Sequence, residues 1–391
     1  MKTFVTSESV TEGHPDKICD KISDKILDTA LEQDKNSKMA VECTIKDDLV
    51  FIYGECNTKA KLDYKKIARE VLKDIGYQQE FKVITKISKQ SKEINKAVDK
   101  AKISAGDQGI MFGYATNETK EYMPLPILLA NKLTSELSKI RKKNKYSPLL
   151  PDGKAQVTVE YNDNVPKRID TIIIASQHKK DISKKYLENY IKNNIINKVI
   201  PKKYIDKNTT ILINTSGSFI IGGPFADSGT TGRKIVVDAY GGSAKVGGGC
   251  FSSKDPSKVD RSAAYYARYV AKNIVYHRLC DKCGIDVSYA IGKEKPIHIN
   301  IETYNTNKVP LKEIYEFVSK NFNFSVDNII KELDLRRPIY YQTAAYGHFG
   351  RTDINLPWEK IKEINWFLLK WHFEITFTNH FHHFFHFFKL R

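Results

Sequence analysis

Apolar residues recur along this chain at two spacings, one helical and one alternating. After Pro15, the residues Ile18, Ile22, Ile26 and Leu27 fall on one helical face, with proline at the first helical position and Asp16 in the first turn. Two alternating runs at 40–45 and 49–55 flank Lys46, Asp47 and Asp48 and predict a hairpin. An amphipathic helix over 63–75 stops at Gly76, and 81–87 reads as a strand. The order of helix, hairpin and helix then returns twice. A helix over 127–141 precedes strands at 155–161 and 168–175, a helix at 182–196 and a strand at 210–214. A helix over 260–275 precedes strands at 287–292 and 297–303 and a helix at 311–318. Residue identity between the three sets is negligible, so the repeat is one of pattern. It predicts an α+β protein of three similar units of roughly a hundred residues, each burying one sheet face under helices.

Composition changes this picture little. A chain of 391 residues with 41% apolar side chains is long enough for two or three cores. No apolar run before residue 360 is long enough to span a bilayer, so no membrane partner is expected. The formal charge of +17 raises nucleic acid as a partner, but the lysines are spread along the chain rather than gathered in one stripe. An anionic small ligand is the preferred reading. The six cysteines and a start without an apolar signal core point to a reducing cytoplasm. Cys280 and Cys283 form a single CxxC with no second pair at a zinc spacing, and read as free thiols.

Glycine is where the pattern breaks most sharply. Ten of the 21 glycines lie between Gly217 and Gly249, and the run then delivers Lys254, Asp255, Lys258, Asp260 and Arg261. Glycines let a backbone come close to a ligand, exposed N–H groups and lysines attract oxyanions, and aspartates can hold an accompanying metal. A polyphosphate with Mg²⁺ meets these demands, although the spacing is not that of a P-loop. A glycine-rich surface loop is the plainer alternative.

Other candidates are scattered. His14 would sit at a helix N-terminus, where it either adds a donor to phosphate or merely caps the helix. Glu42 and Glu55 lie on the hairpin amid apolar neighbours, either on a wet face or paired with a cation. Asp107 is flanked by glycines that would let it approach a ligand, and Asp152, Gly153 and Lys154 precede a strand. The polar, lysine-rich stretch 91–105 has no apolar period and reads as a lid or a disordered connection.

Taken together, GHPDK at 13–17, GDQGIMFGYATNET at 106–119, GRKIVVDAYGG at 232–242 and KDPSKVDRSAAYYARYVAKNIV at 254–275 resemble S-adenosylmethionine synthetase. The resemblance runs from about residue 3 to 360, in the right order, and includes 342–351. It implies an N-terminal domain over 1–100, a central domain over 106–221 and a C-terminal domain over 222–360, related by pseudo-threefold symmetry. It implies a methionine adenosyltransferase: the methionine sulfur attacks the ribose 5′ carbon of ATP, and the expelled triphosphate is hydrolysed to pyrophosphate and phosphate. The sulfur carries no proton, so alignment and charge neutralisation are the work required.

By the resemblance, His14 lies near the leaving oxygen, and Asp16 and Asp260 hold Mg²⁺, about two ions per site. Lys154, Arg233, Lys234, Lys254 and Lys258 line the polyphosphate and the region bridging to methionine, with Lys258 also near methionine. Glu42 resembles a ligand of K⁺, one per subunit; Glu55 and Gln90 resemble methionine contacts, and Asp227 a group shared by ATP and methionine. Asp107 matches a carboxylate near the forming sulfonium, and Asp152, Gly153, Ser218, Phe219 and Cys250 match ATP-side positions. The family's active site lies between two subunits, which implies a dimer or a dimer of dimers, with 91–105 in the place of its lid.

The chain departs from the family at several positions. The family loop HGGGAFSGKD reads VGGGCFSSKD here, so that Val246, Cys250 and Ser253 replace histidine, alanine and glycine, and Ser218 stands where arginine is usual. If position 253 needs a positive φ, serine there costs about 1 kcal/mol or more. Reduced rather than absent activity is expected; a scaffold or regulatory subunit that has lost turnover is the alternative. Residues 361–391 lie outside the resemblance. The stretch 366–388 holds five of the ten histidines and eight phenylalanines, and reads as a metal-binding tail, a membrane-surface segment or a terminus without a selected role.

Overall fold

The computed structural model describes residues 1–90 and 103–364. The expected lid therefore falls mostly, and the aromatic, histidine-rich stretch wholly, outside the described residues. The chain opens with β1 (Lys2–Val10), α1 (Pro15–Gln33), β2 (Lys38–Lys46), β3 (Leu49–Asn57), α2 (Tyr64–Ile75) and β4 (Lys82–Lys89). It continues with β5 (Gly109–Thr116), α3 (Leu125–Lys143), β6 (Leu149–Asn162), β7 (Val165–His178), α4 (Lys184–Ile191) and β8 (Thr210–Ile213). After the short β9 (Gly229–Thr230) come α5 (Val259–Tyr276), β10 (Lys282–Tyr289), β11 (His298–Glu302), α6 (Leu311–Asn321) and α7 (Val326–Glu332).

Local chemistry explains most boundaries. Asp63 caps α2 by accepting from Lys66 N at 3.0 Å, and Gly76 ends it in the left-handed region at φ 116°. Ser183 caps α4 in the same manner. The single helix expected over 182–196 is in fact α4 followed by a π-helical turn over Lys192–Ile196. Ile195 and Ile196 are both fully buried there.

The strands form three sheets with orders β1-β6-β7-β8, β11-β10-β5 and β4-β3-β2-β9. Each draws on distant parts of the chain. β1 pairs antiparallel with β6 from Lys2↔Asn162 to Val10↔Lys154, β5 pairs with β10, and β9 lies against β2 at Thr44↔Thr230. Neither β1 nor β5 was expected from the pattern. The stretch 106–119, in which the sequence marked only the glycine-flanked Asp107, contains the strand Gly109–Thr116, and one of its glycines has a packing reason. A Cβ at Gly113 would overlap the Ala267 carbonyl, so β5 can lie directly on α5 only with glycine at that position.

Two apolar clusters support these layers. The larger joins α1, α2, α5, α6 and α7 to the β2/β3 and β10 sheets; the smaller packs α3 and α4 on β6, β7 and β8. α1 and α5 are almost wholly buried, and both carry charges into the interior. Arg268 on α5 donates to the carbonyls of Tyr114, Glu121 and Tyr122 at 2.7–2.8 Å and to the Glu359 carboxylate, which ties the C-terminal segment to the hairpin end of β5. Among the described residues no helix is long and apolar enough to cross a membrane.

Candidate functional site

The fold gathers the sequence-marked residues into two groups, both anchored on α1. The first surrounds the helix N-terminus. Pairing of β1 with β6 sets Lys154 opposite Val10, and Thr11 N donates to the Gly153 carbonyl, so the β6 charges arrive beside the turn that starts α1. His14 is the N-cap: its Nδ1 accepts from Asp16 N at 3.2 Å. The capping reading of His14 holds, and the ring that caps the helix with Nδ1 keeps its proton on Nε2. Burial, then the positive charges of Lys234 and Lys154, push its pKa down to about 3 against the opposing pull of Asp16 and Asp227. The imidazole is therefore neutral at ordinary pH, a donor rather than a cation.

Asp16 is 1% exposed, and its carboxylate accepts from Thr230 N at 2.9 Å and Lys234 Nζ at 2.5 Å, with Arg233 Nε 3.4 Å away. Burial opposes its ionisation, yet these partners hold its pKa below the usual carboxylate value. Arg233 is half-exposed and Lys234 largely covered. Asp152 is buried, accepts from Gly223 N at 2.8 Å through Oδ2 and leaves Oδ1 without a partner among the described residues; burial raises its pKa, with Lys154 opposing and Asp227 adding to the rise. Exposed Asp227 follows on the same turn, its N–H on the Gly223 carbonyl. Phe219 is fixed by a reciprocal pair with His178, its N–H donating to Nε2 and its carbonyl accepting from His178 N, while Ser218 is exposed.

The second group lies where the glycine loop crosses β2 and β3. Ala40 bridges to Lys254, and Glu55 is the cross-strand partner of Ala40. Glu42, two residues on and on the same face, is half-buried; burial raises its pKa, with Lys254 opposing. Gln90 N donates to the Cys56 carbonyl, so the end of β4 lies beside Glu55. Lys254 is ion-paired with Asp260 in the first turn of α5. A Cβ at Gly249 would overlap the Asp260 carboxyl, so glycine there lets the loop lie against the first turn of α5. Lys258 pairs with Asp255 at 2.6 Å, and Asp255, with Lys258 as a main cause, is held down to about 2 despite its burial. Gly106 N donates to the Ser257 carbonyl, which brings exposed Asp107 alongside Lys258. Burial pushes the Cys250 thiol up to about 11, and its Cβ lies where a Cβ on Gly232 would come within 2.6 Å.

Asp20 and Asp24 were not among the sequence-marked residues, and Arg261 was marked only as part of the charged run after the glycines. The signal for the aspartates was their recurrence at 16, 20, 24 and 28, the face of α1 opposite its isoleucines, which is buried. Oxygen donors suited to a hard divalent ion are present in both groups: Asp16 and Asp260 each offer one carboxylate. Among the described residues no three acidic, histidine or cysteine side chains converge, so this donor set fits an ion such as Mg²⁺ that keeps water and shares phosphate oxygens, rather than an all-protein cage.

Three family descriptions match the chain in succession: the S-adenosylmethionine synthetase N-terminal domain over residues 2–100, central domain over 102–219 and C-terminal domain over 221–360. An S-adenosylmethionine synthase of Clostridium botulinum is 50% identical over 384 residues, covering 93% of this chain and 98% of its own. Its counterpart in Clostridium tetani is 49% identical over 384 residues with the same coverage, and that of Staphylococcus epidermidis is 50% identical over 386 residues, 93% of this chain and 97% of its own. With three consecutive domains matched and half the residues shared over nearly the full length of these relatives, this chain belongs to the S-adenosylmethionine synthetase family.

Proposed function

We infer that the two groups of residues form S-adenosylmethionine from L-methionine and ATP, with release of pyrophosphate and phosphate. The chain is a methionine adenosyltransferase by family. The observation that carries the residue-level reading is the neutral, buried His14 beside Lys154 and Lys234. Its Nε2–H donates to the bridging oxygen as that oxygen leaves the ribose 5′ carbon. No proton need be removed from the thioether, so the barrier falls by alignment of sulfur, carbon and oxygen and by neutralising charge on the triphosphate. Lys154, Arg233, Lys234 and Lys254 supply that neutralisation. Asp16 and Asp260 would hold Mg²⁺, which when bound adds further positive charge against the phosphate oxygens. Glu42 would hold K⁺ next to Lys254.

Glu55, Gln90 and Lys258 would bind methionine, and Asp107 would lie near the forming sulfonium, where a carboxylate is favourable. Asp227 would serve both substrates, while Asp152, Gly153, Ser218, Phe219 and Cys250 would border ATP. The division into domains 1–100, 106–221 and 222–360, with pseudo-threefold symmetry, is supported by three sheets that each lie under helices, each taking one strand, β1, β5 or β9, from a neighbouring domain. Self-association is supported by the outer face of the β4-β3-β2 sheet, where Leu49, Phe51 and Ile84 are exposed together. A dimer would join the His14 group of one copy to the Lys254 group of another, and a dimer of dimers would extend it. Six free cysteines suit a reducing cytoplasm.

The deciding experiment follows S-adenosylmethionine, pyrophosphate and phosphate made from ATP and L-methionine with Mg²⁺ and K⁺, beside Lys254→Ala. Product that requires methionine and falls at least a hundredfold in the variant supports the assignment. A folded wild-type protein without product would return the scaffold reading.

A further inference from the structure

Asp16, Asp20, Asp24 and Asp28 recur at every fourth position of α1, and none is more than 5% exposed. Residues so spaced share a helix face and step along it by about 6 Å. Buried carboxylates in a row are costly unless each has partners of its own. Asp20 accepts from Gly232 N at 2.8 Å and from Lys17 Nζ at 2.9 Å, and Lys17 also pairs with Asp238. Asp24 accepts from Ser253 N at 3.1 Å, from Ser252 Oγ at 3.0 Å and from both Nη atoms of Arg261 at 2.8 and 2.7 Å. Arg261 Nη1 in turn reaches the Lys254 carbonyl at 3.2 Å. Asp28 accepts from the N–H groups of Tyr340 and Tyr341.

Three of these partners adjoin the cations of the site. Gly232 immediately precedes Arg233 and Lys234; Ser252 and Ser253 immediately precede Lys254. Both stretches lie outside regular strands and helices, so their backbones are placed by what they bond to. A catalytic group displaced by about 1 Å loses much of its effect.

We propose that Asp20 and Asp24 are positioning residues: Asp20 fixes the backbone that carries Arg233 and Lys234, and Asp24 with Arg261 fixes the backbone that carries Lys254. The inference rests on those three side chains being the polyphosphate cations. Asp28 supplies the contrast, since it is buried on the same face but holds a segment that carries none of them.

The test uses the full chain with Mg²⁺ and K⁺ and three variants: Asp20→Ser, Asp24→Asn combined with Arg261→Gln so that neither charge is orphaned, and Asp28→Asn. Melting temperature, kcat, KM for methionine, and binding and hydrolysis of added inorganic tripolyphosphate are measured below each melting point. Asp20→Ser and the double variant are expected to lose at least tenfold in kcat and in tripolyphosphate affinity while the methionine KM stays within twofold. Asp28→Asn is expected to keep kcat within twofold whatever its melting temperature. Should the double variant not fold, Asp20→Ser decides alone, because Lys17 retains Asp238. A folded Asp20→Ser with full kcat and tripolyphosphate affinity overturns the proposal, as does an Asp28→Asn that loses activity in step with the others. If Lys254→Ala binds and hydrolyses tripolyphosphate as well as wild type, the cation assignment falls and takes the proposal with it.

Discussion

His14 accepts the amide proton of Asp16 through Nδ1 at 3.2 Å, so the ring that starts α1 is committed as an acceptor on one side and a donor on the other. With its pKa pushed down to about 3 by burial and by Lys234 and Lys154, the folded state keeps it neutral where the unfolded chain, near 6.5, begins to protonate. Between those values the unfolded state binds the extra proton, so this group's stability is fully present above pH 6.5 and is lost as pH falls toward 3. Asparagine preserves a cap acceptor but has no titration in this range. His14→Asn is expected to flatten the decline of unfolding free energy by up to about 1.4 kcal/mol per pH unit between pH 4 and 6, read from urea titrations at each pH. The same variant is expected to lower kcat by about 10²–10³ through loss of one donor to the leaving oxygen, and the wild-type rate profile should show no break near pH 6.5.

Gly113 faces the Ala267 carbonyl, and the contact between β5 and α5 depends on it. A methyl group there has nowhere to go, because both obstacles are backbone. Gly113→Ala is expected to cost about 3 kcal/mol, at the upper end of overpacking penalties, with the midpoint of urea unfolding as the measurement. A shift of a few tenths would mean that the strand can lift from the helix freely.

Arg268 is fully buried and holds three carbonyls together with Glu359, whose carboxylate is kept below its usual range despite burial by that arginine and Lys272. Truncation to methionine leaves those acceptors unpaired and should cost about 3–5 kcal/mol. Adding Glu359→Gln should recover part of the loss, a non-additivity that a double-mutant cycle reads directly.

α7 was missed and β10 begins at Lys282 rather than 287, but helices α1 to α6 and the β2–β3, β6–β7 and β11 strands were legible because their apolar periods are local. β1 and β5 were not, since each finds its partner far along the chain, β1 with β6 and β5 with β10, and sequence spacing carries no record of that pairing. The cations proposed for the site stood out beside glycines. The aspartates that hold their backbones did not, because a carboxylate at every fourth helical position looks the same whether it meets water or, as with Asp24, a buried Arg261. What distinguished them was the second element lying across that face.

Ser253 is the place where the sequence departs from its family and the backbone registers it. Its φ is 78°, its side chain is 1% exposed and its Oγ has no hydrogen-bond partner among the described residues, while its N–H is held by Asp24. Three terms decide what glycine would do. The left-handed conformation costs an L-residue about 1–2 kcal/mol, and an unpaired buried hydroxyl costs about 1–3 kcal/mol. Against them, glycine releases more chain entropy on unfolding, about 0.4–1 kcal/mol. The first two outweigh the third, so Ser253→Gly is expected to stabilise the fold by about 1 kcal/mol or more, seen as a higher urea midpoint at unchanged m. Because the Asp24 bond is to the backbone and survives the change, Lys254 should stay in place, and kcat should hold or rise. A destabilised Ser253→Gly would mean that the hydroxyl has a partner in solution, and that the strain at this turn is already relieved.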